Sequence, residues 1–236
     1  MSNGFKRMAI GAGAAAVLAA AASPAAAIDN YLYGFSPFGV QQLHLNGGAI
    51  VLDALDTGWL GANGAHVTDN QNYIVGDCSS CDNGSYNDYF RFDLSGIEVE
   101  ITSAFLSLGN GDGYAAGPLS TFSLFDVTSA LDSLDVERNA GNAIGISIFN
   151  DLQSGVFYGS RSITDVVQNS QVETTLNGAA LSALNAARGS QFAIGGTLRP
   201  GNVIPGATVP EPGTWALMIL GFGAAGAVLR RRHAVA

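Results

Sequence analysis

Short apolar runs separated by clusters of Gly, Asn, Asp and Ser occupy the chain from Asn30 to Leu198. Runs of this length, bounded by turn-forming residues at nearly regular intervals, are typical of an all-β domain. In YNDYFRFDL, a period of two places Phe90, Phe92 and Leu94 on one face of a strand. We therefore expect these three side chains in the core.

Three further segments show the same period of two, and we predict a strand in each. They are STFSLFDV, SQFAIGGTL and AIGISIFN, in which Ile144, Ile146 and Ile148 share a face. In VEITSAFLSLGNGDG the apolar positions change parity near Thr102 and Ser103, which predicts a bulge or bend there.

One segment has a helical period instead. LNGAALSALNAARG offers Asn177 as the N-cap and Gly189 as the C-cap, and its apolar face consists of Ala180, Leu181, Leu184 and Ala187. The chain is thus predicted to be all-β, a single jelly-roll-like β-sandwich with one short helix. A barrel and a β-helix are the alternatives, although no fixed-period repeat favours the latter.

The same segments resemble known exported proteins. NDYFRFDLSGI, ITSAFLSL, FSLFDVTSAL and IFNDLQSGVFYGS are similar to a recurrent ectodomain of exported bacterial proteins, and FDLSGI with ITSAFLSL resembles sandwich modules of surface proteins and polysaccharide-associated enzymes. The resemblance extends from Asn72 to Thr197 and implies a β-sandwich. It implies no catalytic residue.

The N-terminus has the order of a secretory signal peptide. Lys6 and Arg7 precede an apolar run, and Ala25 and Ala27 form the A-x-A pattern that signal peptidase cleaves. We predict cleavage after Ala27, so that residues 1–27 are removed. A buried Ala-rich helix is the alternative, which Pro24 disfavours.

The C-terminus, VPEPGTWALMILGFGAAGAVLRRR, contains an apolar run that ends at three arginines. Arg230, Arg231 and Arg232 would stop translocation and keep the end of the chain in the cytoplasm. Fifteen apolar residues form only ~22 Å of helix against a hydrocarbon core of ~30 Å, so the run predicts a transient transmembrane helix. An uncleaved membrane anchor is the alternative. The run also has the Gly-x-Gly-x-x-Gly spacing of a dinucleotide-binding loop, but it lacks the preceding strand and the following acidic residue that such a site requires.

The tail resembles a known sorting signal. Pro210, Glu211, Pro212, Trp215 and Ala216 match the P-E-P-x-x-W-A variant of the PEP-CTERM signal. The resemblance implies a Gram-negative host and an exosortase that cuts the tail after transient insertion in the inner membrane. It also implies release to the cell surface or outside the cell, and association with exopolysaccharide in a biofilm matrix. The expected domains are 1–27 signal peptide, 28–200 ectodomain, 201–209 linker and 210–236 sorting signal.

The charge of the expected mature chain excludes one class of partner. Between Ile28 and Val209 there are five arginines, no lysine and eighteen Asp and Glu residues, a net charge of −13. Such a surface repels phosphate backbones, so we expect no nucleic acid partner.

Cys78 and Cys81 are the only cysteines. In an exported chain they predict a local disulfide. A zinc site that also uses His44 and His66 is one alternative, and a redox motif is the other, although the surrounding Gly, Asp and Asn residues indicate a turn.

Three classes of function remain. The chain lacks G-x-S-x-G, H-E-x-x-H and P-loop motifs, so we expect a noncatalytic surface or matrix protein with no catalytic residues. The first alternative is a carbohydrate-binding module, and the second is a polysaccharide hydrolase or lyase that uses paired carboxylates. Candidates for sugar contact are Trp59, Tyr86, Tyr89, Tyr114 and Tyr158 for stacking, with Asp82, Asn87 and Asp88 for hydrogen bonds.

No cofactor is expected, and calcium is the one alternative. Hard oxygen ligands cluster in DCSSCDNGSYND and GNGDG, although not with the EF-hand spacing. These ligands are Asp77, Asp82, Asn83, Asp88, Asn110 and Asp112.

Overall fold

The computed structural model describes residues 31–34, 41–78, 81, 83–110, 114–116, 120–163 and 170–201. These residues form mostly β-structure with two α-helices. The strands are β1 (Tyr31–Gly34), β2 (Gln41–Leu45), β3 (Ile50–Asp53), β4 (Asp56–Gly61), β5 (Val75–Asp77), β6 (Ser85–Asp93), β7 (Ala104–Asn110), β8 (Tyr114–Ala116), β9 (Ser120–Asp126), β10 (Phe157–Ile163), β11 (Ser170–Thr175) and β12 (Gln191–Pro200). The helices are α1 (Ala143–Asp151) and α2 (Gly178–Ala186).

The strands form two antiparallel sheets, as expected of a sandwich-like all-β fold. The larger sheet has the order β10-β9-β12-β6-β5-β1-β8, with β4 also paired to β6. The smaller sheet has the order β11-β7-β2-β3. Strand β12 lies between β9 and β6, and it pairs with β6 through Gln191–Gly196 and with β9 through Ile194–Pro200.

Apolar side chains from both sheets meet in the main core. The predicted core residues Phe90, Phe92 and Leu94 are fully buried there, so this prediction is confirmed. Leu43, Leu45, Leu106 and Leu108 reach the same core from the smaller sheet. The period of two in both sheets thus produces one shared apolar layer.

A second, smaller core covers the outer face of the larger sheet. Tyr89 and Ala193 of the sheet pack with Ile148, Phe149 and Leu152 of α1 and the residue that follows it. The larger sheet is therefore buried on both faces at this point, and Tyr89 has no exposed surface although it alternates with Phe90.

The strand predicted in AIGISIFN is wrong, because this segment forms α1. The Asn142 side chain caps the helix by accepting a hydrogen bond from the backbone N–H of Gly145 at 2.9 Å. Gly145, Ile148 and Phe149 are the buried positions, with the spacing of a helix, whereas Ile144 is 61% exposed. The fold thus has two helices where one was predicted.

The helix predicted near residue 180 is confirmed as α2. Asn177 is its N-cap and accepts hydrogen bonds from the backbone N–H groups of Ala179 and Ala180. Ala180 and Leu184 are fully buried against the main core. The C-cap is Ala187, and Gly189 lies two residues beyond it with φ +82°, so its prediction as the C-cap is wrong by two positions.

The parity change near Thr102 marks the beginning of a strand and not a bulge. Strand β7 begins at Ala104, and residues 94–103 form irregular structure. Val99 is more than half exposed and Ile101 is buried, and neither residue belongs to a strand.

The signal peptide, the linker after its first residue and the sorting tail lie outside the described residues. They include Ala25, Ala27, Pro210, Glu211, Pro212, Trp215, Ala216, Arg230, Arg231 and Arg232. In the part that is described, neither helix has the length and apolar character needed to cross a bilayer.

Candidate functional site

A cavity of about 250 Å³ opens beside the β5–β6 hairpin. Its polar lining combines one carboxylate, one guanidinium, two amides and two hydroxyls: Asp77, Arg199, Asn87, Gln153, Ser85 and Thr197. The remaining lining residues are Ala62, Gly76, Tyr86, Phe149 and Leu198. We refer to this feature as the hairpin cavity.

Strands β5, β6 and β12 and the segment that follows α1 hold the polar groups of the hairpin cavity. Asp77 of β5 lies opposite Ser85 of β6 in register, and the Ser85 hydroxyl donates a hydrogen bond to the Asp77 carboxylate. On the other side, the Arg199 guanidinium donates to Oε1 of Gln153, which follows α1. Asn87 donates from Nδ2 to the carbonyl oxygen of Phe149 at 2.9 Å. Both charged groups of the cavity are thus hydrogen-bonded to neutral side chains.

A disulfide joins Cys78 and Cys81 within the loop of this hairpin, with Cα atoms 5.3 Å apart. The backbone N–H of Cys78 donates to the carbonyl of Gly84 at 2.8 Å, which continues the pairing of the two strands. The sulfur of Cys78 belongs to a small apolar cluster with Trp59 and Tyr86. The disulfide therefore closes a short ring inside the hairpin loop, directly after Asp77.

The aromatic residues predicted to stack against sugars are buried in the structure. Trp59, Tyr86, Tyr89 and Tyr158 are each at most 8% exposed. The ring of Trp59 packs edge-on against Tyr86, and Tyr158 stacks on Phe192 in the main core. The ring faces that a sugar would contact are therefore buried by packing between the layers. The prediction of an exposed aromatic face is wrong for these four residues. The Tyr114 side chain is outside the described residues.

Asp88 was a candidate for both sugar and calcium binding, but it lies between the sheets with no exposed surface. No described residue donates a hydrogen bond to either of its carboxylate oxygens. Burial raises the pKa of Asp88 well above its usual range. Burial also raises the pKa of Tyr33, the Tyr73 hydroxyl lowers it, and the nearby Asp88 raises it further.

A second polar cluster lies under residues 131–139 on the outer face of the larger sheet. Asp56 accepts a hydrogen bond from the Tyr89 hydroxyl at 3.3 Å and pairs with Arg91 at 3.6 Å. His66 Nδ1 donates to the carbonyl oxygen of Trp59 at 2.7 Å, because a carbonyl can only accept. Nε2 of His66 faces Asp135 at 3.5 Å.

Charge and burial act against each other in this cluster. Burial and then the charge of Asp135 raise the pKa of Asp56, whereas Arg91 and the Tyr89 hydroxyl lower it. Asp56 and His66 are at most 6% exposed. The groups contact one another beneath the covering segment, although Oδ1 of Asp56 and Nε of Arg91 have no hydrogen-bond partner among the described residues.

The metal ligands proposed from the sequence are dispersed. Asp77 bonds to Ser85, Asp88 is inside the sandwich, and Asp82 and Asp112 lie outside the described residues. Within the described ranges, no group of three or more His, Cys, Asp and Glu side chains is close enough to hold a metal ion. His44 stacks on Phe105, and His66 lies in the polar cluster described above.

Four polar residues of the hairpin cavity were not among the sequence candidates. One is Ser85, directly opposite Asp77. The others are Gln153, Thr197 and Arg199. They come from the end of α1 and from β12, more than sixty residues from Asp77 and Ser85. One feature of the sequence could have indicated Arg199: it is one of only five arginines, with no lysine, in the expected mature chain.

The fold and cavity define a sandwich-like β-protein with a small polar site. A family model, the PEP-CTERM protein-sorting motif, matches residues 208–232. The chain therefore carries a PEP-CTERM sorting motif near its C-terminus, which confirms the resemblance seen in Pro210, Glu211 and Pro212. This motif indicates an exported protein that is targeted to an exosortase and sorted through the membrane to the cell surface. No curated protein and no solved structure matches the chain.

Proposed function

We propose that the chain is a noncatalytic protein of the cell surface or extracellular matrix, freed from its tail by an exosortase and associated with exopolysaccharide. The sorting motif at residues 208–232 supports this proposal most directly. An N-terminal signal peptide, cleaved after Ala27, would begin the export, and Cys78 and Cys81 would remain bonded in the oxidising environment outside the cell. We also infer jelly-roll connectivity for the sandwich.

The hairpin cavity favours a carbohydrate-binding module as the second candidate. A small number of polar groups around apolar surface is the usual composition of a site for a small ligand. The supporting residues differ from the predicted aromatic ones, because the cavity uses Asp77, Ser85 and Arg199. In this role the protein needs no cofactor.

The mass of the exported protein tests the sorting proposal. We expect a species that begins at Ile28 and lacks Arg230, Arg231 and Arg232, measured by intact-protein mass spectrometry of the extracellular fraction. Replacing Pro210, Glu211 and Pro212 together with alanine removes the recognition motif, so the variant should retain its tail and remain with the membrane fraction.

Thr214→Ala provides the matched control, since position 214 is variable in the P-E-P-x-x-W-A pattern. This variant should be processed like the native chain. An extracellular wild-type species that still carries the three arginines would contradict the proposal. Association with exopolysaccharide is tested separately by co-sedimentation with the host's polysaccharide, using heat-denatured protein as the reference.

A further inference from the structure

The size of the hairpin cavity limits its occupant. A volume of about 250 Å³ lies just below the range of about 300–1,000 Å³ that is usual for drug-sized ligands. It corresponds to about eight water molecules at ~30 Å³ each. The cavity therefore suits a ligand on the scale of one small ring, and not a polymer segment of several units.

The polar lining suits a ligand with several hydroxyl groups. A hydroxyl both donates and accepts, so a polyhydroxylated ring is best matched by a wall that offers both roles. Asp77 accepts, Arg199 donates, and the amides and hydroxyls of Asn87, Gln153 and Thr197 include both types of atom. Phe149 adds apolar surface for the C–H groups of such a ring.

The charges of the cavity favour a neutral ligand. One carboxylate and one guanidinium cancel formally, and each is already bonded to a neutral neighbour, Ser85 or Gln153. The surrounding chain is strongly acidic, with eighteen acids against five arginines between residues 28 and 209. An anionic ligand would approach against this field.

The cavity is built on rigid elements. Asp77 and Ser85 lie on paired strands that the Cys78–Cys81 disulfide closes at the loop. Thr197 and Arg199 lie on β12, where they are paired with Ser123 and Thr121 of β9. The polar groups of such a site lose little conformational entropy when a ligand binds, which favours affinity for a small ligand.

We propose that the hairpin cavity binds a single neutral hexose unit, presented as an end group or a side branch of a polysaccharide. This proposal rests on the proposed association with exopolysaccharide and names the part of the polymer that is recognised. Asp77 and Arg199 bind hydroxyls from opposite sides of the cavity, and Phe149 contacts the C–H face of the ring.

Titration of the purified exported protein with methyl glycosides of glucose, galactose and mannose tests the site. Ligand-observed NMR should show binding of at least one glycoside, with a dissociation constant on the order of 1 mM for a ligand of this size. Arg199→Gln and Asp77→Asn should each weaken this binding about tenfold or more, because each removes charge-assisted hydrogen bonds.

Arg161→Gln and Asp132→Asn are the matched controls, because they change the same residue types outside the cavity. Both should bind like the native protein, and circular dichroism spectra should show that all four variants are folded. Reduction with dithiothreitol should also weaken binding, whereas it should have no effect on a Cys78→Ser/Cys81→Ser variant.

Two results would overturn the proposal: unchanged glycoside affinity in both Arg199→Gln and Asp77→Asn, or binding of glucuronate or glycine in place of the glycosides. If the protein still co-sediments with exopolysaccharide in either case, only the site assignment fails. If co-sedimentation is also lost, the proposed association fails with it.

Discussion

Asp88 is a carboxylic acid inside an apolar layer, with Gly196 directly opposite on β12. A side-chain carbon at position 196 would clash with Oδ1 of Asp88, so the glycine provides the space for the acid. Burial without donors disfavours the charged form, and the raised pKa of Asp88 follows from this. The folded protein therefore binds a proton that the unfolded chain releases at a lower pH.

The sign of the effect on stability follows from linkage. With a folded pKa above the unfolded value of ~3.9, the contribution of Asp88 is fully present below that value and is lost as the pH rises through the folded pKa. Asparagine at position 88 cannot ionise, so Asp88→Asn removes this pH-dependent loss of stability. We expect the variant to be about as stable as the native protein below pH ~3.9, where both side chains are neutral, and more stable than it as the pH rises above that value, measured as urea unfolding midpoints across the pH range.

Asp93→Asn is the matched control on the same strand. The backbone N–H of Ser95 donates to Oδ1 of Asp93 at 2.8 Å and lowers the pKa of this exposed acid. Its contribution has the opposite sign, because it is present above the unfolded pKa and lost as the pH falls. The raised pKa of Asp56 also lowers the stability of the folded protein as the pH rises, and it does so in both variants. Asp88→Asn should therefore reduce the pH dependence of stability without abolishing it. An unchanged pH profile in Asp88→Asn would contradict the account.

At the scale of elements, α1 approaches the turn after β4 through two glycines. A Cβ at Gly145 would lie 2.0 Å from the carbonyl oxygen of Gly64, and one at Gly64 would lie 2.3 Å from the carbonyl oxygen of Asn142. Both neighbours are backbone atoms, which cannot rotate away as a side chain can. The close contact brings Ile148 and Phe149 onto the sheet.

Gly145→Ala should therefore destabilise the protein although alanine favours helices. We expect a loss of about 2 kcal/mol or more in the free energy of unfolding, because overpacking displaces α1. Gly178→Ala, at the first residue of α2, meets nothing within 4 Å and should leave stability unchanged or slightly higher. Thermal melts of both variants make the comparison, and equal melting temperatures would count against the contact.

The same helix shows where the sequence could be interpreted and where it could not. Phe90, Phe92 and Leu94 were assigned correctly because a single strand face meets the main core. In AIGISIFN, the alternating isoleucines have the period of a strand, but the segment forms a helix. The Asn142 cap and the close contact at Gly145 determine that helix. The cap was visible in the sequence, but the contact depends on a turn eighty residues away.

The candidate site was predictable only in part. Asp77, Tyr86 and Asn87 line the cavity and were sequence candidates, although Asp77 was named as a calcium ligand. Arg199 joins them only because β12 lies beside β6. Trp59 and Tyr89 were misjudged because the larger sheet is covered on both faces, which the pattern of one strand does not reveal.

At the scale of the whole molecule, the acidic surface predicts how binding depends on salt. Salt screens charges over a distance of ~10 Å at 0.1 M, so repulsion between the protein and an anionic polymer weakens as salt is added. We expect retention on immobilised alginate to rise with sodium chloride, whereas retention on neutral dextran should stay nearly constant. Alginate binding that is strong at low salt and falls as salt is added would contradict this expectation.

The position of β12 has a consequence for the timing of export. This strand is the last of the described elements, yet it lies in the interior of the larger sheet between β6 and β9. A chain that crosses the membrane from its N-terminus presents β12 last, directly before the segment that carries the sorting motif. The sheet therefore cannot close during translocation, and the arrival of the tail at the membrane coincides with the moment when the domain can first complete its folding.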